Sequence, residues 1–212
     1  MKTGITGGIG SGKSYVCKRL AARGITVYDC DAAAKRLIRT SPEIHEALTD
    51  LIGEDAYEPN ETKMANEANK ANPTNKPHDF RLNKARVAQF LLQSEENAKA
   101  INRIVHPAVF RDFEESGMEW MESAIIYESG IYRLVDRIIV VTAPQEVRIQ
   151  RVMQRDGITR EKVLEWMERQ LPQDEVRQRA DYEIVNDGIA DIDEQLDALL
   201  PTLFKQEEAA ER

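Results

Sequence analysis

No stretch of this chain approaches the run of about eighteen apolar residues that a membrane-crossing helix needs, which excludes a protein built of such helices. Cysteine is nearly absent. Cys17 and Cys30 stand without paired metal-ligand spacing, which argues against a disulfide framework and suits a reducing cytoplasm. A basic surplus is lacking too: 29 Lys and Arg against 37 Asp and Glu give a formal net charge of −8, which speaks against nonspecific nucleic-acid binding through a broad basic surface. No charged segment followed by an apolar one precedes the first strand-like residues, so no secretory leader is expected. With 42% hydrophobic and 31% charged residues over 212 positions, the composition is that of a soluble globular protein, with room for one α/β domain and an insertion or a small second lobe.

What is present is concentrated near the start. Gly7-Gly8-Ile9-Gly10-Ser11-Gly12-Lys13-Ser14 fits the phosphate-binding pattern of Gly, four residues, then Gly-Lys-Ser. Lys2 to Thr6 ahead of it is short and strand-like, and Val16, Cys17, Leu20 and Ala21 behind it recur at helical spacing, the setting the pattern requires. Residues without Cβ let successive backbone N–H groups turn inward around phosphate oxygens, and the helix N-terminus adds partial positive charge. Gly8, Gly10, Ser11, Gly12, Lys13, Ser14 and Tyr15 are the expected nucleotide-binding residues. Lys13 can reach the β- and γ-phosphates and the Ser14 hydroxyl can ligate Mg²⁺, so the expected ligand is Mg-ATP or Mg-GTP. A dinucleotide-binding turn does not fit, because in the registers beginning at Gly8 or Gly10 the third glycine falls on Lys13 or Tyr15.

Ile25 to Tyr28 reads as a second strand that delivers Asp29 to the phosphates, since ligands of open α/β sheets sit beyond the carboxyl ends of the strands. Asp29 there can accept the proton of an attacking hydroxyl or organise the metal's waters, whereas Asp31 reads first as the cap of a helix from Ala32 to Arg39. Pro42 starts another helix, which Gly53 ends. From Glu54 to His78 the residues turn polar, with Ala-Asn repeats that read as an exposed excursion. Helical spacing returns over Leu82 to Leu92 and Ala98 to Met121, more than a plain crossover needs, so a separate helical lobe is expected at 54–121 between core segments 1–53 and 122–212. Pro107 reads as the first turn of a new helix, and on spacing alone His106 beside it reads as structural. Ala124 to Glu128 reads as the third strand; Glu128 at its end either aids the metal, or holds Lys13, or is a surface loop residue. Arg137 to Thr142 reads as a central parallel strand, Tyr182 to Val185 as the last strand and Ile192 to Phe204 as the closing helix.

Between those last two strands Pro144 opens a helix whose Arg148, Arg151 and Arg155 share one face. Asp156-Gly157 then turns the chain, and Thr159 caps a second helix running through Trp166 to Gln170. An arm at 144–172 with a column of guanidinium groups has the make-up of a lid over phosphates; the alternative is a solvated charged face shared with Glu146 and Gln150. The expected fold class is α/β: a P-loop three-layer sandwich with a mostly parallel five-stranded sheet, a helical insertion and a helical lid.

Thr6 to Ser14, Asp29-Cys30-Asp31-Ala32, His106-Pro107, Tyr127-Glu128, the arginine arm with Gln170, and Ala180-Asp181-Tyr182 through Asn186 together resemble the dephospho-coenzyme A kinase family, in that family's order. The resemblance implies transfer of the ATP γ-phosphoryl to the ribose 3′-hydroxyl of dephospho-coenzyme A, with ATP and Mg²⁺ required. It implies Asp29 as general base, Lys13, Arg151 and Arg155 as catalytic contacts to phosphate, and Ser14 on the metal. Asp29, His106 and Glu128 would serve the acceptor, and the helical insertion would be the acceptor-binding lobe. The expected partners are the small-molecule substrates ATP and dephospho-coenzyme A, with no nucleic acid and no membrane, and the expected state is a monomer or weak homo-oligomer in the cytoplasm. Tyr15 stands where that family more usually has Thr, Ser123-Ala124 where Pro is expected, and Asn83-Lys84 where Arg is common. Competing readings are another small-molecule or nucleoside monophosphate kinase, and a GTP-dependent switch. Against the switch, Asn75-Lys76 and Asn83-Lys84 lack the Asp that would complete a guanine-reading Asn-Lys-x-Asp.

Overall fold

A strand buried on both faces needs a neighbour on each edge and a layer on each side. Arg137–Thr142 (β4) is such a strand, with all six residues buried. In the computed structural model, which describes residues 1–58 and 80–210, β4 pairs in parallel with Thr3–Thr6 (β1) and with Tyr182–Val185 (β5). β1 pairs in turn with Trp120–Glu122 (β3), and β3 with Val27–Asp29 (β2). The sheet order is β2-β3-β1-β4-β5, and all four pairings are parallel, where the sequence promised a mostly parallel sheet. Parallel pairing gathers the carboxyl ends of the strands on one edge, so the loop after the central β1 opens beside the ends of β2 and β3 on one flank and of β4 and β5 on the other.

The third strand is not where the sequence put it. The ladder ends at Glu122, because Ser123 N donates to Ile5 O at 3.0 Å and Thr6 Oγ1 donates to Ser123 O at 2.8 Å as the chain leaves the sheet. The apolar run that follows is a set of turns. Ile126 is fully buried against the sheet, close enough that a Cβ on Gly4 would overlap its Cδ1. Burial rather than strand pairing accounts for its hydrophobicity.

The described chain forms two compact units: Met1–Cys30 with Ser116–Arg212, and Asp31–Glu115. In the first, Lys13–Ala21 (α1) and Ile192–Ala210 (α9) place Val16, Leu20, Leu196 and Leu203 against Ile5 and Ile184 of the sheet. The closing helix runs past Phe204. Ion pairs of Arg19 in α1 and of Arg23 just past its end with Asp193 and Asp197 tie this segment to α9, and buried Arg137 donates to Thr3 Oγ1 and to Leu203 O. Gln145–Asp156 (α6), Arg160–Glu168 (α7) and Gln173–Arg179 (α8) lie between β4 and β5. Ile149, Val152 and Val163 hold α6 to α7, Gly157 caps α6 at φ 66°, and the Thr159 hydroxyl accepts from Lys162 N.

The second unit is helical: Cys30–Thr40 (α2), Pro42–Ile52 (α3), Lys84–Gln93 (α4) and Glu95–Ser116 (α5). The boundaries drawn from sequence at 53 and 121 shift, because Ile44, Leu48 and Ile52 of α3 pack with Ala56, Tyr57 and Ala108, while Trp120 and Met121 are buried in the sheet. Pro107 does not start a helix. It sits inside the unbroken α5, where Val105, Ala108, Val109 and Phe113 are buried on both sides of it, and that packing outweighs the roughly 3 kcal/mol an internal proline costs. The Ala-Asn repeats and Asn75-Lys76 lie outside the described residues. Among those described, no helix is long and apolar enough to cross a membrane.

Candidate active site

Gly12 ends the phosphate loop in a left-handed conformation, φ 92°, and starts α1; both Tyr15 N and Val16 N donate to its carbonyl. A side chain there would be strained, and a Cβ would also overlap Asn186 Nδ2. Lys13 folds back over the loop: its Nζ donates to Gly7 O at 2.8 Å and lies 3.5 Å from Glu122 Oε1. Ser14 is exposed, whereas Ser11 is fully buried with no hydrogen-bond partner for its hydroxyl. Tyr15 is 51% exposed, so what it offers the loop comes from its backbone.

On the β2–β3 flank is a cavity of about 420 Å³ lined by Ser14, Cys17, Val27, Asp29 and Glu122 among others. Asp29 and Glu122 are register partners at the ends of β2 and β3, so their carboxylates fall side by side. Burial, then the nearby Glu122 charge, pushes the Cys17 thiol up to about 12. Glu122 was missed in the sequence. Its only local signal is the pair Trp120-Met121 before it, too short to outbid the longer apolar run at Ala124 to Tyr127. Glu128, expected at the strand end, instead lies exposed and accepts from Leu171 N at 3.0 Å, beyond the end of α7; Glu122 takes the place beside Lys13. The hard oxygens of Ser14, Asp29 and Glu122 suit Mg²⁺, which binds few protein ligands and keeps waters and phosphate oxygens. Among the described residues there is no group of three or more His, Cys, Asp or Glu that could form an all-protein metal cage.

The β4–β5 flank is cationic and packed. Arg148 Nε donates to Ile9 O at 2.9 Å, and Ile9 N donates to Gln170 Oε1 at 2.8 Å. Asn186 Nδ2 donates to Ser11 O at 2.9 Å, and Arg151 bonds both Asn186 O (2.9 Å) and Ser11 O (3.5 Å). Gln170 also reaches Ala124 O at 3.4 Å, so the arm that leaves from β4 is tied down beyond β3. The column of arginines therefore divides: Arg148 and Arg151 meet the loop, while Arg155 points to solvent and pairs with Asp156. Gln170 and Asn186 were visible only as parts of a resemblance; their contacts with the loop depend on residues more than 160 positions away in sequence. His106 lies in the second unit on α5, half-buried, its ring stacked on Phe110 at 6.2 Å and its pKa lowered by burial.

Comparison with known proteins agrees with this geometry. A family model described as dephospho-CoA kinase matches residues 1–61 and 50–191. Proteins named dephospho-CoA kinase from Bacteroides fragilis and Porphyromonas gingivalis are 33% and 37% identical to this chain. The first match covers 97% of this chain and 94% of the relative, the second 86% and 84%. Among solved structures, the Thermus thermophilus protein TT1252 superposes with a TM-score of 0.73 at 30% identity, over 96% of this chain and 97% of that one. The dephospho-CoA kinase of Campylobacter jejuni, 19% identical, shares the fold with a TM-score of 0.58, over 98% of this chain and all of that one. A phosphate loop at the centre of a parallel sheet, a carboxylate at the end of the adjoining strand and matches over nearly the whole length lead to one assignment: the chain belongs to the dephospho-CoA kinase family.

Proposed function

We propose that this protein transfers the γ-phosphoryl group of ATP to the ribose 3′-hydroxyl of dephospho-coenzyme A, giving coenzyme A and ADP. The observation that carries the reading is the placing of Asp29 and Ser14 on one cavity beside the phosphate loop, with Lys13 reaching the Glu122 carboxylate on its wall. In-line transfer needs an acceptor hydroxyl that loses its proton as the bond from its oxygen to phosphorus forms and the bond to the β-phosphate oxygen breaks. Asp29, exposed at the end of β2, is the base that takes the proton. Lys13 exchanges Gly7 O and Glu122 for phosphate oxygens, and Glu122 fixes where it starts. Ser14, with Asp29 or Glu122, would hold Mg²⁺, which would offset charge on the phosphates. The loop's N–H groups bind phosphate from Gly8, Gly10, Ser11, Gly12, Lys13, Ser14 and Tyr15.

Arg151, already at the loop, stabilises charge on the transferring group, and Arg155 joins it only when the arm closes. The second unit, with His106, is assigned to the acceptor. Glu128 serves the acceptor only indirectly in this reading, by holding the end of the arm at Leu171.

ADP release is the test, measured with Mg-ATP and each of dephospho-coenzyme A, AMP, CMP, shikimate and water. Turnover confined to dephospho-coenzyme A, with the product phosphorylated at the 3′ position, is expected. Turnover on another acceptor alone would transfer the assignment to a different small-molecule kinase.

A further inference from the structure

Arg148 differs from every other arginine of the arm. Its side chain is buried, 7% exposed, and its two hydrogen-bond acceptors, Ile9 O at 2.9 Å and Gln173 Oε1 at 3.4 Å, are both uncharged. Arg155 has Asp156, Arg160 has Glu146 and Arg169 has Glu165; among the described residues neither Arg148 nor Arg151 forms an ion pair with a carboxylate, and of these two only Arg148 is buried. Burial alone depresses its pKa, with no charged neighbour to restore it. A buried cation left without an anion is destabilising, and replacing such a group by a neutral one of similar size generally stabilises a fold. The placement of this one is specific: a Cβ on Gly8 would overlap its Nη2, and a Cβ on Gly10 would overlap its backbone oxygen. The guanidinium therefore lies directly against the backbone of the phosphate loop, and a Gln at the same place would hold Ile9 O without carrying charge.

We propose that Arg148 is a positioning residue that supplies a fixed, already desolvated positive charge to the wall of the phosphate loop, and that its counter-ion is bound polyphosphate rather than a carboxylate of the chain. This rests on the reading of the loop as a nucleotide triphosphate site. The charge acts through the loop rather than by touching the reacting atoms. It strengthens binding of the phosphate chain in particular, at the expense of stability in the ligand-free protein.

The experiment compares wild type, Arg148→Gln and Arg148→Lys by calorimetric binding of inorganic tripolyphosphate and of Mg-ATP, and by ligand-free melting temperature. Arg148→Gln should bind both ligands about tenfold more weakly, as expected for one unit charge removed near a phosphate at the effective dielectric of a protein site. Its ligand-free melting temperature should rise by about 2–4 °C. Arg148→Lys, which keeps the charge and loses the fork, should stay within about threefold of wild type for tripolyphosphate. Unchanged affinity in Arg148→Gln overturns the proposal while the loop reading stands. A lowered ligand-free melting temperature in Arg148→Gln, or an equal loss of affinity in Arg148→Lys, marks Arg148 as a strut for Ile9 and overturns it likewise. Wild type that binds neither ligand overturns the loop reading and this inference together.

Discussion

The two flanks of the phosphate loop are built on opposite plans. Toward β2 and β3 the loop faces carboxylates, Asp29 and Glu122, across an open cavity. Toward β4 and β5 it faces cations and amides, Arg148, Arg151, Gln170 and Asn186, packed so closely that three of its glycines, Gly8, Gly10 and Gly12, have no room for a Cβ. An open acidic flank can receive a proton, a metal or an acceptor, and it pulls Lys13 toward the place where phosphate charge must be met. A packed cationic flank can do none of that, but it fixes the loop's shape and sets its potential. Proton transfer and metal binding are thus proposed for one side of the eight-residue loop, and its shape and positive potential for the other.

The largest effect expected on the packed side comes from Gly12→Ala. It combines strain at φ 92° with overlap of Asn186, and should cost about 1–3 kcal/mol of stability and most of the nucleotide affinity. Adding Asn186→Ala should restore part of the stability, because it removes the overlap and leaves the strain. Chemical melts of the single and double variants check this, and no recovery in the double variant would mean that the overlap is not the cause.

On the acidic side Glu122→Gln should lower kcat about tenfold while the melting temperature stays within about 2 °C, since it releases Lys13 from its starting position without opening a cavity. A fall in stability with kcat intact would move Glu122 to the structural side of the comparison. A smaller effect concerns Cys17. Burial and then the Glu122 charge hold its pKa near 12, so alkylation by iodoacetamide at pH 8, followed by intact mass, should be slow in the wild type and faster in Glu122→Gln. The sign follows from the cause: removing a nearby negative charge favours the thiolate. Equal rates in the two proteins would show that Glu122 does not act on that cavity.

The same contrast explains what the sequence made legible. The places of Asp29 and of the loop could be read because each is set by consecutive residues with a fixed local conformation: glycines, then Lys13 and Ser14 at a helix start, and a short strand ending in Asp29. β4 was legible because six buried residues in a row leave no other reading of such a run between turn signals. Glu122 was not, because its strand has only three residues and takes its identity from register with Ile5 and Asp29, while the more apolar stretch after it is buried by turns. Pro107 misled for a related reason: a local rule about helix starts lost to packing on both sides of α5. The packed flank was the least legible. A column of arginines at helical spacing announces a charged face, but only the fold tells the buried Arg148 and the loop-bound Arg151 from the solvent-facing Arg155. α3 joined the helical unit for the same reason, since its apolar stripe fits Tyr57 and Ala108 as well as it would fit a sheet.

The division of labour is tested most directly by measuring kcat for dephospho-coenzyme A phosphorylation and the dissociation constant for Mg-ATP in Asp29→Asn and Asn186→Ala side by side. Asp29→Asn should lose about a thousandfold in kcat, within the range for removing a general base, and keep ATP affinity, because the amide preserves shape and removes only the proton acceptor. Asn186→Ala should weaken ATP binding about fivefold through loss of one buried hydrogen bond to the loop, and leave kcat unchanged. Near-normal kcat in Asp29→Asn, or a loss of kcat in Asn186→Ala as large as that in Asp29→Asn, would contradict the separation of proton transfer from loop shape between the two flanks.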